Sequence, residues 1–227
     1  MRTMGLDASV RCRCFEEGRY SKPPFPICID EESGFPALQG QRTPEEESEF
    51  ERWLPKACEH GEMMLAFEWI SNWSWVNAFH RLLHAMPERT PRLLSVLPTE
   101  NSGLVAVGDA EYCLAELDSF ERTFHGELVE VLDQEDHFRV VAFLVANGDG
   151  HGSWENGRWE VGTDVEGVYF RQRSGARQVL RPGAERVGED ERYVVVIRRA
   201  AEFTHLLEPL RIVLQASVDS GNPVRWS

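Results

Sequence analysis

The longest apolar stretch of the chain runs from Met63 to Met86 and contains three of the seven tryptophans. Its apolar residues recur at the spacing of a helix, which turns by about 100° per residue. One half of such a helix carries Val76, Phe79, Leu82, Leu83 and Met86, with Trp69 and Trp75 at its margins. The pattern predicts a helical hairpin element over residues 62–86, and a break near Ser71-Asn72 is the open alternative. We expect burial of Trp69, Val76, Phe79 and Leu83.

Four side chains lie along one edge of this apolar half. By the same helical projection they fall within about 60° of one another, and they are Trp73, Asn77, His80 and His84. A residue at such an edge is ordered by the core and still reaches solvent. We therefore interpret the four as candidate residues for binding a ligand or a partner. The alternative is a core margin, in which the two histidines hydrogen-bond to neighbouring loops.

Prolines and glycines interrupt most of the first 42 residues. Within them, residues 6–15 alternate apolar and polar side chains, which predicts a strand with Cys12 and Cys14 on its apolar face. The segment Thr43-Pro44-Glu45-Glu46 is a helix start with a capping box, and this helix should end near Pro55. A second helix is expected from Asp109, as its N-cap, through Phe120.

After Gly126 the pattern changes to short strands separated by turn residues. The predicted strands are residues 128–132, 137–146, 154–161, 165–171, 176–180 and 192–198. The pair Asn156-Gly157 is typical of a two-residue β-hairpin turn, which indicates an antiparallel sheet. The segment from Phe203 to Leu214 returns to helical spacing and contains Pro209.

This order of elements predicts an α+β fold, in which a helical N-terminal half packs on a mainly antiparallel sheet from the C-terminal half, with a final C-terminal helix. We find no internal repeat and no linker, so residues 1–227 are predicted to form a single globular domain. Its parts are a loop-rich segment 1–42, a helical part 43–125, a sheet part 126–199 and a C-terminal helix 200–220.

The net charge of −14 is concentrated in two stretches. Residues 30–51 contain eight acidic residues and one basic residue, and residues 126–136 contain five acidic residues and none that is basic. Such stretches repel phosphate backbones, so we expect no binding to nucleic acid. They can attract a basic protein and accelerate the encounter with it. The alternative is a well-solvated acidic surface that keeps the protein in solution.

The apolar stretches are broken by polar residues before they reach the roughly 20 residues that cross a bilayer. Near the N-terminus, Asp7, Arg11 and Arg13 occupy positions where a secretory signal needs an apolar core. Five cysteines without regular spacing suit a reducing compartment. We therefore predict a cytoplasmic protein without a membrane partner. Whether Met1 or Met4 is the start stays open.

Two sets of residues contain ligand types that zinc prefers. The first is His80 with His84, one helical turn apart, but the glutamate that follows the first histidine of zinc proteases is not there. The second set is Cys12-x-Cys14, Cys28 and Cys58-x-His60. Structural zinc sites usually contain Cys-x2-Cys pairs, whereas a Cys-x-Cys on a strand points both thiols into a core. The sequence therefore favours buried thiols, and we predict neither a metal nor another cofactor.

Two further segments contain groups that can bind or react. The Gly-rich segment 147–152 contains Asp149 and His151, but no serine elbow accompanies them, so we interpret it as a hairpin connection. Four arginines surround a predicted turn, and they either bind an anion or pair with acidic residues of the same molecule. They are Arg171, Arg173, Arg177 and Arg181. We favour the second interpretation.

The absence of a complete catalytic set in the sequence favours a function without catalysis. The leading hypothesis is a non-enzymatic binding or inhibitor protein that engages a basic partner, as small acidic bacterial immunity proteins do. That comparison rests on general character and on no motif. The alternative is a metal-binding module or a metal-dependent hydrolase that uses His80 and His84 or the cysteines.

Overall fold

The structure of the protein is a computed structural model, which describes residues 5–30, 34–40, 42–146, 153–155, 159–172, 175, 177–188 and 191–227. These residues form both helices and antiparallel sheets, which confirms the predicted α+β class. Among the described residues, none of the helices combines the length and the apolar character that crossing a bilayer requires.

The secondary structure is numbered in chain order. The strands are β1 (Gly5–Arg11), β2 (Ile27–Ile29), β3 (Pro36–Leu38), β4 (Met64–Asn72), β5 (Gly103–Val105), β6 (Glu127–Asp133), β7 (Arg139–Ala146), β8 (Ser153–Glu155), β9 (Trp159–Asp164), β10 (Gly167–Gln172), β11 (Arg177–Val179), β12 (Gly183–Val187), β13 (Tyr193–Arg199) and β14 (Val224–Trp226). The helices are α1 (Pro44–Trp53), α2 (Trp73–Ala85), α3 (Pro91–Val96), α4 (Val107–Thr123) and α5 (Thr204–Ser220).

Backbone contacts group the chain into two compact units, each assembled from separate segments. The first unit contains Met1–Val76, Ser95–Leu117 and His205–Ser227, and the second contains Asn77–Leu94 and Asp118–Thr204. The single domain expected from the sequence stays a prediction.

In the first unit, a four-stranded antiparallel sheet has the order β4-β1-β14-β5. Strand β1 confirms the first part of the predicted strand 6–15, and its apolar residues Leu6, Ala8 and Val10 are fully buried. Strand β14 lies between β1 and β5, with Ala8 opposite Trp226. The indole N–H of Trp226 donates to the carbonyl of Val96 at 3.0 Å, which fixes this strand against the end of α3.

Helix α1 begins where its sequence predicts. Thr43 is the N-cap, its hydroxyl accepts from the backbone N–H of Glu46, and the Glu46 carboxylate accepts from the backbone N–H of Thr43. This capping box satisfies two backbone donors that the helix itself cannot. The helix ends at Trp53 and continues as a 3-10 turn, and none of its described residues is buried.

The second unit contains two four-stranded antiparallel sheets, in the orders β12-β13-β6-β7 and β11-β10-β9-β8. Both sheets contribute apolar side chains to one core, among them Val129 and Ile197 from the first sheet and Val161 and Phe170 from the second. The antiparallel pairing predicted for this part of the chain is thereby confirmed, whereas β12 was not predicted and the predicted strand 154–161 is divided between β8 and β9. Strands β8 and β9 pair as a hairpin requires, while the turn residues Asn156 and Gly157 lie outside the described residues.

The predicted helical element over residues 62–86 is wrong in its first part. Met64–Asn72 form strand β4, which pairs with β1 along its length. The helix α2 begins only at Trp73. The pairing places Phe67 and Trp69 on the open face of the sheet, where they are 45% and 47% exposed. The expected burial of Trp69 is therefore wrong, because its backbone follows a period of two residues and not the helical period.

The expected burial is confirmed for the residues that do lie on α2. Val76, Phe79 and Leu83 have no exposed surface. The predicted arrangement of a helical N-terminal half is not confirmed, since strands β1 to β4 occupy much of that half. The final helix is confirmed as α5, and the short strand β14 follows it.

Candidate metal centre

Four of the side chains that contain zinc-type ligands converge in the first unit. The ligand atoms of Cys12, Cys14, Cys58 and His60 all lie within 4.8 Å of one another. The sulfurs of Cys12 and Cys58 are 3.8 Å apart, Nδ1 of His60 is 3.3 Å from the sulfur of Cys14, and it is 3.9 Å from the sulfur of Cys58.

The end of β1 positions the first two cysteines. The backbone N–H of Cys12 donates to the carbonyl of Met63 at 3.0 Å, which holds Cys12 beside the start of β4. The carbonyl of Cys14 accepts from the backbone N–H of Arg19 at 2.8 Å and so closes the turn that follows. As predicted, both thiols face inward, and Cys12 and Cys14 are 3% and 0% exposed.

The loop before β4 positions the other two ligands. It follows the 3-10 turn, and its backbone folds back through a hydrogen bond from Gly61 N–H to the carbonyl of Cys58 at 3.4 Å. The next three residues, Gly61, Glu62 and Met63, have φ angles of 56°, 47° and 60°. A left-handed backbone conformation costs about 1–3 kcal/mol for each residue other than glycine, because the Cβ atom meets the backbone. This strained backbone immediately after His60 indicates a conformation that the surrounding structure must stabilise.

Three of the separations are close to those of a tetrahedral zinc site, and the four ligand atoms together span 4.8 Å. Zinc–sulfur bonds of about 2.3 Å place two sulfurs of a tetrahedron about 3.8 Å apart, which is the separation of Cys12 and Cys58. Zinc–nitrogen bonds of about 2.0–2.1 Å place sulfur and nitrogen about 3.6 Å apart. The two separations of His60, 3.3 and 3.9 Å, lie on either side of that value.

Burial and the neighbouring thiols raise the pKa of the cysteines in this cluster. Burial is the main cause that raises the pKa of Cys14 to about 12, and hydrogen bonds with Cys12 and Cys58 add to it. Burial also raises the pKa of Cys12. Adjacent thiolates need a cation to offset their charge, and a divalent metal supplies it while displacing the protons.

A second layer of side chains surrounds the four ligands. Nε2 of His60 faces the carboxylate of Glu59 at 3.8 Å, and that carboxylate also pairs with Arg19 at 3.3 Å. A carboxylate behind the second imidazole nitrogen orients a metal-bound histidine. On the apolar side, the rings of Phe15 and Tyr20 stack at 5.3 Å and cover the cluster.

The remaining cysteines stay outside this group. Cys28, which the sequence analysis placed among the possible ligands, lies half-buried on β2, and Cys113 is buried in α4. All five cysteines are free thiols. The residue types at this centre were visible in the sequence, whereas their convergence was not.

Helix α2 carries the four residues that the sequence analysis proposed as a binding site. Trp73 is half-buried and belongs to the first unit. In the second unit, Asn77 and His84 are exposed, His80 is 8% exposed, and the two imidazole rings are 6.4 Å apart. Within the described part of the chain, no third side chain joins the two histidines to form a metal-ligand group. A ligand or partner site at these residues stays a prediction.

The arginines near the β10–β11 turn pair with acidic residues of their own sheet. Arg171 pairs with Glu160, and Arg177 pairs with Asp164 at 2.5 Å and with Glu166. The hydroxyl of Tyr169, followed by Arg171, lowers the pKa of Glu160. The pairing agrees with the favoured interpretation for these two arginines. Arg173 and the Gly-rich segment 147–152 lie outside the described residues.

The acidic stretch 126–136 is largely engaged within the second unit. Glu130 is 1% exposed and lies between Arg81 and Arg198, with Nε···Oε distances of 2.6 and 2.9 Å. Asp133 is 5% exposed and pairs with Arg192 at 2.5 Å. These carboxylates hold strands together, so they contribute less to an acidic surface than the sequence suggested.

Comparison with models of protein families, with curated proteins and with solved structures finds no significant match. The geometry of the chain brings together four side chains that could hold a metal ion, three cysteines and one histidine.

Proposed function

We propose that the chain binds one zinc ion through Cys12, Cys14, Cys58 and His60, and that the ion is a structural part of the first unit. The observation that carries this proposal is the convergence of four ligand atoms within 4.8 Å from two segments far apart in sequence. Hydrophobic packing alone brings apolar surfaces together, but it does not require three sulfurs and an imidazole nitrogen to face one point.

The ligand set favours zinc over other common metals. Thiolate and imidazole ligands together suit zinc, whereas magnesium and calcium prefer oxygen ligands. Zinc also imposes no electronic preference on its geometry, so ligands whose separations reach 4.8 Å can draw in around the ion.

The number of protein ligands favours a structural over a catalytic role. Four side chains fill the tetrahedron, whereas catalytic zinc sites keep one position for water or substrate. The ion would join Cys12 and Cys14 to Cys58 and His60 and so close the intervening segment. Helix α1 in that segment has no buried residue among those described and packs on the cysteine cluster through Trp53, so a metal link beside this contact would add stabilisation.

Elemental analysis of protein purified without chelator tests this proposal. We expect about one equivalent of zinc, as the single tetrahedral site requires. The variants Cys58→Ser and His60→Gln should each lower the zinc content strongly. Cys28→Ser is the matched control, because it removes a half-buried thiol outside the cluster and should keep the zinc. Zinc far below one equivalent after reconstitution, or equal loss in Cys28→Ser, would contradict the proposal.

A second candidate function is the binding of a basic protein partner, without catalysis. The observation that favours it is the exposed acidic face of α1, where Glu45, Glu47, Glu49 and Glu51 are all exposed. Such charge accelerates association with a basic surface and makes binding sensitive to salt. Capture of a partner at low ionic strength should be lost when these glutamates become glutamines. Unchanged capture by that variant would exclude α1 as the binding surface.

A cytoplasmic location is part of the proposal. Three cysteine ligands must stay reduced to bind zinc, and the cytoplasm keeps thiols reduced.

A further inference from the structure

A cavity of about 200 Å³ beside the metal centre is lined by three arginines, Arg11, Arg13 and Arg225, together with Glu16. It lies within the first unit of a chain whose net charge is −14. Three guanidinium groups and one carboxylate give the lining a net charge of about +2 at neutral pH. The three guanidinium groups repel one another where they line one cavity, and an anion bound there would offset that repulsion.

The described residues satisfy the guanidinium of Arg11 only in part. Its Nη2 bonds to the carboxylate of Glu16, whereas Nη1 is buried and has no hydrogen-bond partner among the described residues. Buried donors in native proteins nearly always have an acceptor. Arg11 lines the cavity, and a shift of its guanidinium towards an oxyanion there would give this donor an acceptor.

The other two arginines contact neighbouring residues of the same unit. Nε of Arg13 donates to Oδ1 of Asn222 at 2.7 Å, and its Nη2 donates to the carbonyl of Gly221 at 3.0 Å. A guanidinium has five N–H donors, so donors remain for a ligand. Arg225 packs so closely on Gly34 that a Cβ there would lie 2.3 Å from its Nε. Both guanidiniums are therefore positioned before any ligand arrives.

We propose that this cavity binds a phosphoryl group, either as free phosphate or on a small phosphomonoester. The charge of about −1.5 to −2 on such a group at pH 7 offsets the net charge of the lining. Guanidinium groups bind phosphate oxygens through paired, charge-assisted hydrogen bonds. The volume is smaller than the roughly 300–1,000 Å³ of sites for drug-sized ligands, which favours a small anion.

This inference goes beyond the zinc proposal, although the two sites are neighbours. Cys12 stands between Arg11 and Arg13 and also lines the cavity. Zinc content is therefore measured on every sample, so that loss of the metal and loss of anion binding are separated.

Isothermal titration calorimetry of the full chain with inorganic phosphate, at constant ionic strength, tests the proposal. We expect saturable binding to one site, and acetate should bind at least about tenfold more weakly because a single negative charge offsets less of the lining. Arg11→Gln and Arg225→Gln should each weaken phosphate binding by about tenfold to a hundredfold. Arg186→Gln, which removes an exposed arginine of the second unit, is the matched control and should bind phosphate unchanged.

Methyl phosphate is titrated in parallel to distinguish the two sources of the phosphoryl group. Tighter binding of inorganic phosphate supports the free anion, and tighter binding of methyl phosphate supports a monoester. If circular dichroism shows that Arg11→Gln does not fold, phosphate binding by Arg225→Gln and by the wild type tests the proposal. Absence of saturable phosphate binding in zinc-replete protein, equal binding of acetate, or equal weakening in Arg186→Gln overturns the proposal and leaves the zinc proposal standing.

Discussion

The sulfur of Cys12 lies 3.8 Å from the sulfur of Cys58, a residue 46 positions away in the sequence. This separation is about twice the roughly 2.05 Å of a disulfide bond, and it equals the edge of a zinc–thiolate tetrahedron. The pair therefore lies at the distance that a shared metal ion sets between two ligands.

If zinc links these segments, its removal should destabilise the protein. We expect a strong chelator to lower Tm by several degrees and added zinc to restore it, because a ligand that binds only the folded state stabilises that state. Differential scanning calorimetry measures the shift. Cys58→Ser should show a low Tm that no longer responds to zinc or chelator. If neither the chelator nor added zinc changes the Tm of the wild type, a structural role for the metal is excluded.

Truncation of Phe79 should destabilise the second unit strongly. Phe79 is fully buried, and its ring lies 5.6 Å from that of Phe120 and 5.9 Å from that of Phe203. Phe79→Ala should lower the free energy of unfolding by about 3–5 kcal/mol, since it removes a large side chain and leaves a cavity. Urea denaturation measures the loss. Phe67→Ala, at a position 45% exposed, should lose clearly less, and equal losses would refute the assigned burial.

Replacement of Glu130 should lower the free energy of unfolding strongly. Glu130→Ala leaves Arg81 and Arg198 without their shared carboxylate in a largely buried site, and breaking such a pair costs about 3–5 kcal/mol. Glu191→Gln is the control, because its partner Arg186 and its own side chain are both well exposed, and exposed pairs contribute about 0–1 kcal/mol. The same urea titration compares the two variants. A loss for Glu130→Ala no larger than for the control would show that the buried network does not stabilise the sheet.

Acid should weaken the second unit through Asp133. Hydrogen bonds from Arg192 lower the pKa of Asp133 below its ordinary value of 3.8. A lowered folded-state pKa contributes stability that is present above the unfolded pKa and is lost as the pH falls through the folded pKa. Wild-type stability should therefore fall as the pH drops below about 4. Asp133→Asn should be less stable at neutral pH and show a smaller fall, measured by urea midpoints, whereas Asp136→Asn, at an exposed pair, should follow the wild type.

Local signals in the sequence predicted the elements that depend on local interactions. The capping box at Thr43 fixes the start of α1 with contacts only three residues apart, so the sequence contains all that is needed. The strands after Gly126 were predicted because alternation and turn residues recur along neighbouring segments that pair with each other. Strand β4 was mistaken for helix because a continuous apolar and aromatic run fits both periods, and its partner β1 is far away in the sequence.

The candidate site also depends on contacts between residues far apart in the sequence, which local patterns do not predict. Cys12-x-Cys14 and Cys58-x-His60 were recognised as ligand types, but their spacing differs from the usual zinc motifs, and only the β1–β4 pairing brings them together. Likewise, Glu130 was counted with an acidic surface because its partner Arg81 lies 49 residues earlier, on a different element. Arg11, Arg13 and Arg225 gave no signal in the sequence, since they meet only when β14 pairs with β1.

The position of β14 in its sheet also determines when that sheet can form during synthesis. Strand β1 is made first, but one of its two neighbours contains residues 224–226. A nascent chain on the ribosome therefore exposes one edge of β1, with Arg11 and Arg13 beside it. This edge stays uncovered until residues 224–226 have emerged. Pairing over so great a sequence separation is slow to form, and an uncovered edge strand can pair with other chains. We expect this edge of β1 to be a place where the growing chain can pair wrongly until β14 is inserted.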